Sequence, residues 1–198
     1  MRDDLFSIPI RKYHIDNNEP YVTYANQNFS ENHLKVPAPY IFGLSQIAPE
    51  LSNNYSDILE QFLVDIGLYD THLAVVTSMI LKVLDVGESI DRTDTLPSHY
   101  TATHYIKVKD NETSDIFHHP ARSLVTAFHP FANYPDAQLD EWQNAAGIYI
   151  NPGDVIIHPS FLEHSSPKVP DRRITMTLTF MIQENEQGRE PNTEELAA

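Results

Sequence analysis

The chain has no cysteine. That excludes disulfides and any thiolate metal site, and it fits a reducing compartment without proving one. Glycine is scarce, six residues against fourteen prolines, so the connections read as stiff rather than flexible. Positive charge is in short supply: 13 Lys and Arg face 28 Asp and Glu, for a net charge of −15 with histidines neutral. That balance disfavours a nucleic-acid partner, because phosphate backbones are held by Lys and Arg. It favours solubility and suits a basic partner surface. No apolar run approaches the roughly 20 residues that cross a bilayer, so no membrane partner is expected. The opening MRDDLFSIPIRKY carries no apolar h-region, so no secretory leader is expected either. Internal repeats are absent.

What is present is an ordinary globular balance over 198 residues, with 41% apolar and 21% charged. One domain over residues 1–183 is expected, followed by an acidic, apolar-poor tail over 184–198 that is expected to be mobile. Leu5 to Ile10 reads as a short apolar opening strand, and Arg11 to Phe29 as a polar, Asn-rich stretch in which Tyr13, Tyr21, Val22 and Tyr24 are strand or packing residues. Val36 to Tyr40, with Pro37 and Pro39, reads as an extended connector. A helix is predicted over Ser52–Gly67, because Tyr55, Ile58, Leu59, Phe62, Leu63 and Ile66 form one stripe. Gly67 suits its end. His72 to Leu84 is β-branched and apolar, a strand. Over Ser98–Lys109, Tyr100, Ala102, His104, Ile106 and Val108 alternate with Thr101, Thr103, Tyr105 and Lys107, a second strand. Short strands are expected at Ile116–Pro120 and Leu124–Phe131. A loop or helical turn is expected at Tyr134–Gln143, around Trp142. Many short strands with one or two helices on the N-terminal side predict a mainly β jelly roll.

The informative stretch is Asn151–Ile182, NPGDVIIHPSFLEHSSPKVPDRRITMTLTFMI, which reads as strand, sharp loop, strand. Pro152-Gly153 marks a turn, Val155 to Ile157 a buried strand, and His164 falls in the loop. In the last strand Ile174, Met176, Leu178, Phe180 and Ile182 face one way. Arg173, Thr175, Thr177 and Thr179 face the other. A guanidinium among hydroxyls on an inward face can hold a carboxylate bidentately.

This stretch resembles the C-terminal half of the Fe(II)/2-oxoglutarate oxygenases, above all the small oxygenase-like proteins of tailed phages of marine bacteria. Pro-x-Gly-Asp, an apolar strand, Pro159-Ser160, His164 and Arg173 fall in their order, with His158 where those proteins carry Phe. The resemblance implies a double-stranded β-helix with one or two supporting N-terminal helices. It implies Fe(II) and 2-oxoglutarate as cofactors, with His164 as a metal ligand, Arg173 gripping the distal carboxylate of 2-oxoglutarate and Thr175 as its hydroxyl partner. The first metal motif, His-x-Asp/Glu in that family, falls within Asp91–Leu96. Asp94 stands for its carboxylate, and Arg92 stands where the histidine should be. An arginine has no lone pair for a metal. His99, His104, His118 and His119 are the histidines weighed as replacements.

Two function classes follow. The first is a hydroxylase-class oxygenase acting on a small-molecule or protein substrate, with its site one ligand short. The second is a non-catalytic jelly roll, a structural or interaction protein such as a phage virion or assembly component, with a protein partner or a second copy of itself. A cupin-like binder using Arg173 without metal is a third. The expected location is the cytoplasm of a host cell, or a virion.

Overall fold

The computed structural model describes residues 10–28, 40–42, 49–93, 97–118 and 145–185. Its elements in chain order are β1 (Arg11–His14), α1 (Glu19–Asn28), β2 (Tyr40–Phe42), α2 (Pro49–Asp65), β3 (His72–Leu84) and β4 (Ile90–Thr93), then β5 (Tyr100–Lys107), β6 (Glu112–His118), β7 (Ala145–Ile150), β8 (Asp154–Pro159), β9 (His164–Ser166) and β10 (Arg173–Glu184). They form two antiparallel sheets. The larger has the order β1-β8-β5-β10-β3-β2 and the smaller β4-β9-β6-β7. From β3 onward successive strands alternate between the sheets, except that β6 and β7 are neighbours in the smaller one, which is the winding of a double-stranded β-helix, so the expected jelly roll is the fold observed.

The alternation of β10 decides which way the larger sheet faces. Ile174, Met176, Leu178 and Phe180 are buried in one apolar core with Phe62, Leu59 and Tyr55 of α2 and Tyr21 and Ala25 of α1. Phe62 meets Tyr100 and Phe180 edge-on at 4.9 and 5.8 Å between ring centres. Burying such a ring contributes about 1.5–3 kcal/mol. The helices therefore cover the outer, apolar face. The other face, with Arg173, Thr175, Thr177 and Thr179, is buried against the smaller sheet. Only a small apolar cluster shares that interior, formed by Tyr105, Phe117, Ile150, Ile156 and Leu162.

The strand over His72–Leu84 has the expected bounds, and α2 starts three residues before the predicted helix. Three elements differ from expectation, the first being β6, which starts at Glu112, four residues before the expected Ile116. Residues 19–28 form α1, where a polar packing stretch was expected. Only Tyr21 and Ala25 of α1 are fully buried, too few for a visible stripe. His164 opens the three-residue strand β9 instead of lying in a loop, and three residues are too short for alternation to show. Gly153 takes φ +91° in the β7–β8 turn, with Ile15 O 2.8 Å from where a Cβ would sit. Gly147 of β7 faces Thr113, whose Cγ2 would lie 2.6 Å from an added Cβ. No described helix is long and apolar enough to cross a membrane. The expected segments Leu5–Pro9, Leu124–Phe131 and Tyr134–Gln143, and the tail from residue 186, lie outside the described residues.

Candidate active site

Register brings the site together. β9 lies between β4 and β6, so His164 pairs with Thr93 on one side and Phe117 on the other. Thr93 immediately precedes Asp94, which lies outside the described residues. Arg173 starts β10 opposite Leu84, and Thr175 sits opposite Lys82 of β3. A cavity of about 20 Å³, room for about one water, is lined by His164, Arg173, Thr175, Lys82, Thr103 and Asp115. Three predicted site residues, His164, Arg173 and Thr175, thus share one interior space. Lys82 and Asp115 were not foreseen there.

Arg173 is 2% exposed and does hold a carboxylate, but it is one of the chain's own. Its Nε donates to Glu112 Oε1 at 3.1 Å, its Nη2 donates to the same oxygen, and Nη2 also donates to Thr113 O at 2.7 Å. Nη1 lies 3.5 Å from Asp115 Oδ1 and makes no hydrogen bond, a buried donor left over. Asp115 also accepts from Ser166 Oγ. Burial lowers the pKa of Lys82, with Asp115 acting in the opposite direction. Two cations and two carboxylates therefore meet between the sheets.

The histidines divide by face. His104 lies on the outer face, fully buried, with Nδ1 bonded to Tyr55 Oη at 2.8 Å and Nε2 to Asn18 Oδ1 at 3.0 Å. Burial lowers its pKa to about 3. His99 is exposed, and its Nδ1 accepts the Ile182 amide. His118 meets Ser165 Oγ at 3.0 Å through Nε2. His119 lies outside the described residues. None of the three described histidines weighed as replacements lines the cavity beside His164. His158 of β8 does approach it: the two rings stand 5.0 Å apart, edge to face. His164 Nδ1 donates to Leu162 O at 3.2 Å and His158 Nδ1 to Pro159 O at 2.9 Å. Burial first, and then the neighbouring His164, lower the pKa of His158 to about 4, so its ring is neutral at pH 7.

Fe(II) and 2-oxoglutarate can be tested against these donors. Anchoring of Nδ1 by a carbonyl leaves the Nε2 lone pair for a metal, the usual arrangement of a ligating imidazole. Unused Nη1 of Arg173, with the Thr175 hydroxyl and Lys82 lining the same space, suits an anionic oxygen. Among the described residues, no three His, Asp or Glu side chains are grouped to hold a metal. The site thus offers one donor toward each group, His164 Nε2 for a metal and Arg173 Nη1 for an anion, while Asp94, expected to supply the carboxylate ligand, lies outside the described residues.

No family model and no curated protein sequence matches the chain. Solved structures do. A Pseudomonas putida prolyl-4-hydroxylase superposes with TM-score 0.57 at 11% identity, covering 90% of this chain and 91% of that one. The non-heme alpha-ketoglutarate-dependent carbocyclase SnoK from nogalamycin biosynthesis gives TM-score 0.55 at 14% identity, covering 96% and 87%. HygX from Streptomyces hygroscopicus, with nickel and 2-oxoglutarate bound, gives TM-score 0.54 at 7% identity, covering 91% and 86%. At these identities the likeness establishes the fold: the chain is built on the double-stranded β-helix that these enzymes use.

Proposed function

We propose that this chain is an Fe(II)- and 2-oxoglutarate-dependent oxygenase of the hydroxylase class. The observation that carries the reading is the shared interior cavity of His164, Arg173 and Thr175. His164 would hold the metal together with Asp94, and Arg173 with Thr175 would hold the distal carboxylate of 2-oxoglutarate. Structural likeness to HygX, which binds nickel and 2-oxoglutarate, supports the pairing of cofactors. Held there, Fe(II) and 2-oxoglutarate would supply the oxidising equivalents for hydroxylating a substrate C–H bond. The chain's own residues bind and orient. Glu112 neutralises Arg173 in the absence of cosubstrate, so loading requires the guanidinium to share or exchange its carboxylate. The two sheets exclude bulk water, strengthening every charge interaction between them.

A second reading has its own observation. The Nε/Nη2 edge of Arg173 is already taken by Glu112, which would leave a non-catalytic jelly roll if that pair never opens. Anaerobic titration with Fe(II), then 2-oxoglutarate, separates the two. The oxygenase reading expects the visible metal-to-ligand charge-transfer absorption of a chelated cosubstrate, lost in His164→Ala. No band at millimolar cosubstrate would leave the non-catalytic protein.

A further inference from the structure

The resemblance places the family's first histidine ligand on Arg92, which cannot serve. The second imidazole must then come from elsewhere or be missing. We propose that His158 of β8 is a metal ligand, binding one divalent ion together with His164 of β9. The inference rests on the oxygenase reading of the same site.

Four observations carry it. His158 lies on the inward face of β8: Val155 and Ile157 pack outward under the helices, while Ile156 joins the interior cluster. Its ring centre is 5.0 Å from that of His164. Two imidazoles on one ion, with bonds of about 2.1 Å and angles between octahedral and tetrahedral, put their ring centres about 4.7–5.4 Å apart. Each ring spends its Nδ1 proton on a backbone carbonyl. No hydrogen bond among the described residues engages Nε2 of either ring, although His158 is 1% and His164 7% exposed. Each ring therefore keeps an Nε2 lone pair open to a ligand. His104 shows the alternative, since both its ring nitrogens are satisfied by protein groups.

Phe117 of β6, in the same sheet as His164, packs against both rings, 4.9 Å from that of His158 and 6.1 Å from that of His164. The ligand set would thus be drawn from both sheets: His158 from the larger and His164 from the smaller. A phenylalanine at position 158 would fill the same space without a donor, which makes His158→Phe the informative substitution.

The experiment is metal binding by the full chain, with folding of each variant checked by near-ultraviolet circular dichroism. Co(II) affinity is measured by calorimetry. Histidine ring ¹⁵N shifts are followed on adding one equivalent of Zn(II). The inference expects Nε2 of His158 and His164 to shift together. It expects His158→Phe to weaken Co(II) by about 100-fold, the upper end of what losing a supporting group costs. His164→Ala should do at least as much, and the exposed-site control His99→Gln nothing. If His158→Phe binds as wild type while His164→Ala does not, the inference fails and the oxygenase reading stands. If wild type binds neither ion at millimolar concentration, both fail.

Discussion

Along β10, from Arg173 to Phe180, the two faces of the larger sheet are both buried and chemically opposite. On the outer face, Ile174, Met176, Leu178 and Phe180 meet α2, and the one buried histidine, His104, has each ring nitrogen matched. On the inner face, one residue away along the same strand, Arg173 and the threonines meet charged partners, Nη1 of Arg173 is left over, and two imidazoles keep a lone pair. Burial therefore does not separate structure from function here. The account of donors and acceptors does: the face that closes its account is scaffold, and the face that leaves it open carries the candidate site.

Removing the central charge should give the largest break in that comparison. Arg173→Leu strands Glu112 and Asp115 between the sheets and should cost about 3–5 kcal/mol in urea unfolding, with loss of 2-oxoglutarate binding. Phe62→Ala, on the outer face, should cost about 3–4 kcal/mol but leave Co(II) affinity unchanged under conditions where the variant is folded. A change in metal affinity there would blur the division between the faces.

A pH series sharpens it further. His104 has a folded pKa depressed to about 3, against 6.5 for the ordinary side chain. The unfolded chain takes up this proton first, so the stability it contributes is complete above pH 6.5 and is lost as pH falls toward 3. The slope is at most about 1.4 kcal/mol per pH unit. His104→Leu should flatten the pH dependence of unfolding between pH 6 and 4, measured by denaturant midpoint. An unchanged slope would mean that His104 is not the group being protonated. The smallest effect is expected next door to the largest. Arg172 pairs with Asp85 at 3.4 Å, and Asp85 is 59% exposed. Arg172→Ala should cost under about 1 kcal/mol, and less in high salt.

Much of this was legible from residue order, for definite reasons. The 13-residue β3 and the alternating β10 are long enough for periodicity to speak, and the α2 stripe runs over three turns. Alternation in β10 correctly put Arg173 and Thr175 on the polar face. What it could not say is which carboxylate Arg173 holds. In a regular strand Glu112 and Asp115, three residues apart, would face opposite sides. A register shift between Thr113 and Ile116 breaks that rule, and both reach Arg173. His158 is visible in the sequence only as a replacement for Phe, because a histidine in an apolar run carries no ligand spacing of its own. Its meaning depends on a ring contact with His164, across two sheets. The carboxylate expected at Asp94 lies outside the described residues, while its neighbour Thr93 is in register with His164.

Gly147 gives the barrel wall a control point that a survey of the cavity would overlook. It lies on β7, and an added methyl would strike Thr113 Cγ2. Thr113 is also the residue whose carbonyl receives Arg173 Nη2. A side chain at position 147 would therefore press on the backbone that seats the guanidinium, without entering the site. On the oxygenase reading, drift in cosubstrate affinity among variants can originate on the outside of the molecule, through one added methyl group.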